Sequence, residues 1–71
     1  MLRKRTTESA ILVDSVLGKT EEEAKLLASS SGFSTRVVQR DEEKFLVTMD
    51  LRFDRLNLYI ENKIVTKSNI G

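Results

Sequence analysis

The clearest hydrophobic pattern in the chain is an alternation near its carboxyl end. Leu56, Leu58 and Ile60 are apolar, and the positions between them are polar or amphipathic. A period of two places the apolar side chains on one face of a β-strand, so the pattern predicts a half-buried strand. A turn at Asn62, which tolerates positive φ, and a short returning strand follow. We therefore predict an antiparallel hairpin over residues 55–68.

A second pattern has helical spacing and a clear beginning and end. Apolar side chains recur at intervals of three and four over residues 24–28, as on one face of a helix. Thr20 and Glu23 match a capping box, in which each side chain bonds the backbone N–H of the other residue. Gly32 is suited to the left-handed conformation that ends many helices. These signals predict a helix over residues 21–31.

The region between the helix and the hairpin contains one further strand and one unusual segment. Residues 33–40 alternate and are rich in β-branched side chains, which predicts a strand. If this strand pairs with the first strand of the hairpin, residues 41–54 must leave the sheet and return. A connection of that length is uncommon in a small domain unless it is functional or disordered. Its apolar residues argue against disorder and indicate a binding surface; they are Phe45, Leu46, Val47, Met49, Leu51 and Phe53.

These elements predict an α+β fold with one helix packed on a small mixed sheet of three or four strands and an extended, exposed binding loop. We expect residues 10–71 to form this single domain and residues 1–9 to be a flexible basic tail. Residues 3–5 are all basic, so the tail could contact nucleic acid or anionic lipid. Residues 10–13 are apolar and could form a short strand or an apolar strap.

Composition restricts the classes of function. The chain has 71 residues and contains no His, Cys, Trp or Pro. It therefore lacks the groups for a thiol nucleophile, a disulfide or a typical structural zinc site, and the usual general base of serine hydrolases. We expect a protein that is not an enzyme, binds no cofactor or metal, and acts through a binding surface.

Charge and hydropathy narrow the expected partners. The net charge is +1, which differs from the strongly basic balance of nucleic-acid domains and does not favour a nucleic-acid partner. No apolar run approaches the length of a membrane span or of a signal-peptide core. We expect a protein partner, no membrane association, a cytoplasmic location and a monomer.

Two short motifs have simpler interpretations than the chemistry they suggest. Gly18-Lys19-Thr20 resembles the end of a phosphate-binding loop, but Val13 occupies the position of the first glycine. The helix cap at Thr20 explains these residues. Asp50 and Asp54 could form a carboxylate pair of the kind glycosidases use, but neighbouring arginines make ion pairing the better explanation.

Two stretches carry a family resemblance. VLGKTEEEAK, residues 16–25, resembles the start of the helix in the potato inhibitor I family of serine protease inhibitors. LVTMDLRFDRLNL, residues 46–58, is similar to the reactive-site loop and following strand of that family, and Gly71 also fits. The resemblance covers residues 16–71. It is strongest with the bacterial and fungal branch, in which an Asp-Arg-Leu-Asn run like that of residues 54–57 follows the loop.

The resemblance implies a function and a site. Such inhibitors present an extended loop, here about residues 45–54, in the conformation of a bound substrate. The scissile bond would join Met49 to Asp50, and Met49 would enter the primary specificity pocket. Its flexible apolar side chain suits the hydrophobic pockets of subtilisin-, chymotrypsin- or elastase-type proteases. The resemblance assigns the reactive site to Val47, Thr48, Met49, Asp50, Leu51 and Arg52.

The resemblance also implies two supports beneath the loop. Arg55 matches a supporting arginine and could make charge-assisted bonds to Asp50 or Thr48. Asn57 stands where the classical plant members have a second supporting arginine, and it can donate a hydrogen bond but has no charge. The stiffness of the loop is then expected to depend heavily on Arg55.

Two alternatives stay open at this point. Met49 and Phe53 could be core residues of a loop that folds back on the domain. The scaffold could also be a non-catalytic intracellular binding module that uses the same loop to bind or inhibit an enzyme other than a protease.

Overall fold

A computed structural model describes the backbone of residues 2–71 and the side chains of residues 8–71. Within it, the order of elements is α1 (Leu2–Ser15), α2 (Glu21–Ser30), β1 (Ser34–Arg40), β2 (Glu43–Lys44), β3 (Arg55–Glu61) and β4 (Ile64–Ile70). The strands form one mixed sheet in the order β2-β1-β3-β4. β1 and β3 are parallel, and the two outer pairs are antiparallel. The predicted small α+β fold is confirmed, with one more helix than predicted.

Helix α2 begins and ends where the sequence indicates. The Thr20 hydroxyl accepts a hydrogen bond from the Glu23 backbone N–H at 3.2 Å, and the Glu23 carboxylate accepts one from Thr20 N–H at 3.0 Å. At the other end Gly32 has a φ of 79°, and Phe33 N–H donates to the Ala28 carbonyl at 2.8 Å. The capping box and the left-handed stop together confirm the predicted helix to within one residue.

The hairpin of β3 and β4 closes through a tight turn. Asn62 and Lys63 have φ values of 51° and 69°, and two successive positive values match the twist of a two-residue hairpin connection. Asn62 N–H also donates to an Asp41 carboxylate oxygen at 2.9 Å. β4 continues to Ile70, slightly beyond the predicted end at Ser68.

The amino-terminal prediction needs correction. Residues 10–13 belong to helix α1 and not to a strand or strap. Leu12 and Val16 are four residues apart, and both are buried. This spacing places them on the same side of α1 and of the turn that follows it. The run of four apolar residues concealed this spacing. Residues 2–9 are helical as well; their flexibility and the domain boundary at residue 10 stay predictions.

The core lies between the helices and one face of the sheet. Leu12, Val16, Ala24 and Ala28 meet the sheet from the helical side. The predicted inward positions Leu56, Leu58 and Ile60 are 0%, 0% and 3% exposed. Burial of apolar area on this single face is the main stabilising contribution in so small a domain. The opposite face of the sheet is left for other contacts.

Neither helix has the length and hydropathy that a membrane crossing requires, within the part of the chain that the structure describes.

Candidate functional site

The segment between β2 and β3, residues 45–54, has no regular secondary structure and is called here the crossover loop. Its two ends are fastened to β1 by backbone hydrogen bonds. Phe45 N–H donates to the Val38 carbonyl at 3.1 Å, and Ser34 N–H donates to the Asp54 carbonyl at 2.9 Å. Val38 lies at a register shift of the β1–β3 pair. The loop is therefore anchored to β1 at Val38 and at Ser34.

Most apolar side chains of the crossover loop point away from the core, and Phe45 is half-buried. Leu46 is fully exposed, Met49 is 96% exposed and Phe53 is 72% exposed. The alternative in which Met49 and Phe53 are core residues is therefore wrong. Large apolar side chains held in solvent on one segment are typical of a recognition surface.

Arg55 holds the loop on the carboxyl side of Met49. Its Nη2 donates to the Asp50 carbonyl oxygen at 2.7 Å, and its Nη1 lies 3.5 Å from Asp50 Oδ2. Its Nε donates to the Gly71 carbonyl oxygen at 2.8 Å. The Arg55 side chain is only 12% exposed, whereas that of Asp50 is 50% exposed, so the guanidinium is held at the protein surface and the carboxylate stays half in solvent. The structure thus brings Arg55 and Asp50 together.

Arg36 holds the loop on the amino side of Met49, and the sequence did not single it out. Its Nη1 lies 3.4 Å from the Thr48 carbonyl oxygen and 3.3 Å from Thr48 Oγ1. Its Nε donates to Asn57 Oδ1 at 2.9 Å. The signal that could have found it is strand pairing, because Arg36 and Asn57 are partners in the parallel β1–β3 register.

Asn57 supports the loop only through Arg36. It is 7% exposed, and besides accepting from Arg36 it donates from Nδ2 to Asn69 Oδ1 at 2.9 Å. No hydrogen bond joins Asn57 to residues 45–54. Asn57 is therefore linked to the loop through Arg36 and not by a hydrogen bond of its own, and its role in loop support stays a prediction.

Thr48 and Asp50 are also joined across Met49. The Thr48 hydroxyl donates to Asp50 Oδ1. This hydrogen bond, together with the nearby positive charge of Arg55, holds the pKa of the Asp50 carboxyl below its ordinary value. The carboxylate is therefore ionised at neutral pH and ties the two neighbours of Met49 to each other.

The remaining predicted site residues lie at the edges of this arrangement. Val47 is 38% exposed. Leu51 lies against Gly71, at which an added Cβ would come 3.6 Å from Leu51 Cδ1. Arg52 pairs with Asp54 at 3.5 Å, with both side chains about half exposed. Each aspartate of the loop therefore faces an arginine, as the sequence indicated, and they do not form a paired acid–base site.

The other sequence candidates have structural roles. Gly18 N–H, which a phosphate-binding loop would offer to its ligand, donates to the Val65 carbonyl at 2.9 Å. Thr20 caps α2. Among the described residues no group of three or more acidic side chains is placed to hold a metal ion.

Comparisons with known proteins give one informative result. No protein-family model and no curated protein matches the chain. Among solved structures, that of the elastase inhibitor AFUEI in crystal form II matches with a TM-score of 0.62 and 18% sequence identity, over 93% of both chains. At this identity the match shows the fold alone. The chain is therefore similar in fold, over nearly its whole length, to a protein that inhibits a protease.

Proposed function

We propose that this chain is a serine protease inhibitor of the potato inhibitor I type, with the crossover loop as its reactive site and Met49–Asp50 as the scissile bond. The main support for the proposal is the contrast between the exposed side chain of Met49 and the fixed positions of its two neighbours. Its side chain is 96% exposed, whereas the residues before and after it are both tied to arginines from the sheet. The fold shared with an elastase inhibitor supports the same function.

The geometry suits inhibition because it presents one side chain and fixes its neighbours. A flexible peptide must lose conformational freedom when it enters a protease cleft, whereas a chain already held in an extended form loses less. Arg55 lies beneath the residue that follows the scissile bond, and Arg36 lies beneath the residue that precedes it. The protease supplies the catalytic groups, and the chain supplies a rigid substrate-like segment.

The exposed side chains of the loop support a proposal for the class of target. Met49 is long, flexible and apolar, which fits the hydrophobic primary pocket of subtilisin-, chymotrypsin- or elastase-type enzymes. Leu46, three residues earlier, is fully exposed and offers a second apolar contact on the same side of the bond. The proposed partner is a serine protease with apolar subsites.

The test is an inhibition panel of subtilisin-, chymotrypsin-, elastase- and trypsin-type enzymes, with mass spectrometry of the loop. We expect tight inhibition of the first three, and Met49→Gly should weaken it by a factor on the order of 100 or more, as loss of a buried interface anchor does. Met49→Lys should redirect inhibition to the trypsin-type enzyme. Leu26→Ala, which changes an apolar side chain on α2 that is 68% exposed, should leave inhibition unchanged.

Two results would contradict the proposal. Rapid cleavage between Met49 and Asp50 without inhibition would show that the loop is only a substrate. Failure to bind any enzyme of the panel would favour the alternative of a binding module that uses the same loop on an enzyme other than a protease.

A further inference from the structure

Side chains from three adjacent strands form a row beneath the crossover loop. Arg36 of β1 is paired in register with Asn57 of β3, and Asn57 is paired with Asn69 of β4. Side chains opposite each other in neighbouring strands lie on the same face of the sheet. These three share the face that does not contact the helices. The row is continuous by hydrogen bonds, from Arg36 Nε to Asn57 Oδ1 and from Asn57 Nδ2 to Asn69 Oδ1, both at 2.9 Å.

The row fixes the orientation of one guanidinium group. Arg36 can only donate, so the oxygen of the Asn57 amide must face it and the nitrogen must face Asn69. With Nε held in this way, the planar guanidinium directs Nη1 at both Thr48 oxygens. Asn57 is 7% exposed, and so it cannot easily exchange Arg36 for water.

The loop is consequently held by two cations from two different strands. Arg55 of β3 binds the residue after Met49, and Arg36 of β1 binds the residue before it. Arg36, the register partner of Asn57 on the neighbouring strand, thus supplies the positive charge that Asn57 lacks.

We propose that Arg36, oriented by Asn57 and Asn69, is the second loop-positioning residue of this inhibitor, and that it decides whether the Met49–Asp50 bond resists cleavage. The proposal rests on the function proposed above. Without Arg36, Thr48 keeps its hydrogen bond to Asp50, and the backbone anchor of the amino side lies three residues away at Phe45. Thr48 can then rotate away from the conformation that a protease binds. The chain then becomes a better substrate and a poorer inhibitor.

The experiment compares four chains: wild type, Arg36→Ala, Arg36→Ala/Asn57→Arg, and Lys67→Ala as the matched control. Lys67 is a cation on the same face of the sheet, but it lies 4.9 Å from the Tyr59 ring centroid, and no hydrogen bond or ion pair joins its side chain to residues 45–54. Two quantities are measured. One is the rate of cleavage between Met49 and Asp50 by the inhibited protease. The other is the backbone order parameter of Thr48 and Met49 in the free chain, from 15N relaxation.

The Arg36→Ala chain should be cleaved about 10- to 100-fold faster, the range expected for losing hydrogen bonds to a charged group. Its order parameters at Thr48 and Met49 should fall from about 0.85 to below about 0.6, with those of α2 unchanged. The double variant replaces the guanidinium removed from β1 with one at residue 57 on β3. It should recover most of the resistance to cleavage. Lys67→Ala should behave as wild type in both measurements.

Each other outcome has a defined meaning. If Arg36→Ala changes neither quantity, or if order is lost equally in α2, the positioning role is wrong. If Arg36→Ala loosens the loop and the double variant does not restore resistance, the specific role of a guanidinium is wrong. If wild type inhibits no protease, the proposed function fails, whereas the order parameters of the free chain still decide whether Arg36 positions the loop.

Discussion

The two faces of strand β3 contain opposite kinds of side chain. On one face Leu56, Leu58 and Ile60 are almost wholly buried against the helices. On the other face Arg55 and Asn57 are polar and lie beneath the crossover loop. The strand therefore belongs at once to the hydrophobic core and to the support of the loop.

Stability and loop conformation therefore have separate sources within strand β3. Apolar burial depends on the area removed from water and is insensitive to direction. The guanidinium contacts are directional and place particular oxygens of the loop. Substitutions on the two faces should therefore separate unfolding from inhibition.

A substitution on the core face of β3 should change the stability of the chain more than any other change considered below. Leu58→Ala should lower the free energy of unfolding by about 2–5 kcal/mol, since it removes buried methyl groups and leaves a cavity. That is a large part of the stability of a small domain. Urea denaturation measures it, and Leu26→Ala on the exposed side of α2 should stay within about 0.5 kcal/mol of wild type. If Leu58→Ala changed the inhibition constant under conditions in which the chain is still folded, the separation of stability from inhibition would be wrong.

The largest effect on the loop face is expected at Arg55. Arg55→Ala should weaken inhibition about 10- to 100-fold, because it removes the charge-assisted bond to the Asp50 carbonyl and the ion pair with its carboxylate. A titration against a sensitive protease measures this change. Lys25→Ala removes an equal charge from α2, where Lys25 pairs with Glu21 at 3.0 Å, and should not alter inhibition. Equal losses in both variants would show that net charge is the cause.

A smaller effect on stability alone is expected at the start of α2. Thr20→Ala should destabilise the chain by about 1 kcal/mol through loss of the helix cap. Thr20→Ser keeps the hydroxyl and is the matched control. Thermal unfolding followed by circular dichroism should separate the two variants, and the inhibition constant should be the same in both. A weaker inhibition constant for Thr20→Ala would mean that the helix end is coupled to the loop.

The smallest effect is the response of the loop to acid. The hydrogen bond from Thr48 and the charge of Arg55 lower the pKa of Asp50 below its ordinary value of 3.8. Because this pKa is lower in the folded chain than in the unfolded chain, the carboxylate contributes its full stabilisation at pH values above the unfolded-state pKa. That stabilisation is lost as the pH falls through the folded-state pKa. The NMR shift of the Asp50 carboxyl carbon should titrate with a midpoint below 3.8. The control is Asp50→Asn, which should abolish the transition. A midpoint at or above 3.8 would contradict the contacts of the Asp50 carboxylate with Thr48 and Arg55.

The parts of the fold that the sequence predicted are those with local signals. The helix at residues 21–31 has both caps within its own sequence, and Leu56, Leu58 and Ile60 alternate without interruption. The sequence does not predict helix α1 because Leu12 lies inside a run of four apolar residues, which hides its spacing of four from Val16, the buried residue just after the helix.

The candidate site could likewise be predicted from the sequence only where its residues lie close together along the chain. Met49 and Arg55 lie on one segment of chain that resembles a known loop and strand. Arg36 acts at Thr48 only because β1 pairs with β3 in a particular register, and no short stretch of sequence contains that information.

Parallel pairing of β1 with β3 sets a minimum length for the segment between them. β1 ends beside Ile60 and β3 begins beside Ser34, so the chain must travel back along the whole of β1, about 20 Å at 3.3 Å per residue. Most crossovers of this kind contain a helix, whereas this one is extended and exposed. Its outward side chains can be exchanged without repacking the interior, because the core lies on the other face of the sheet. Variants of this scaffold should therefore acquire new targets by substitution within the loop.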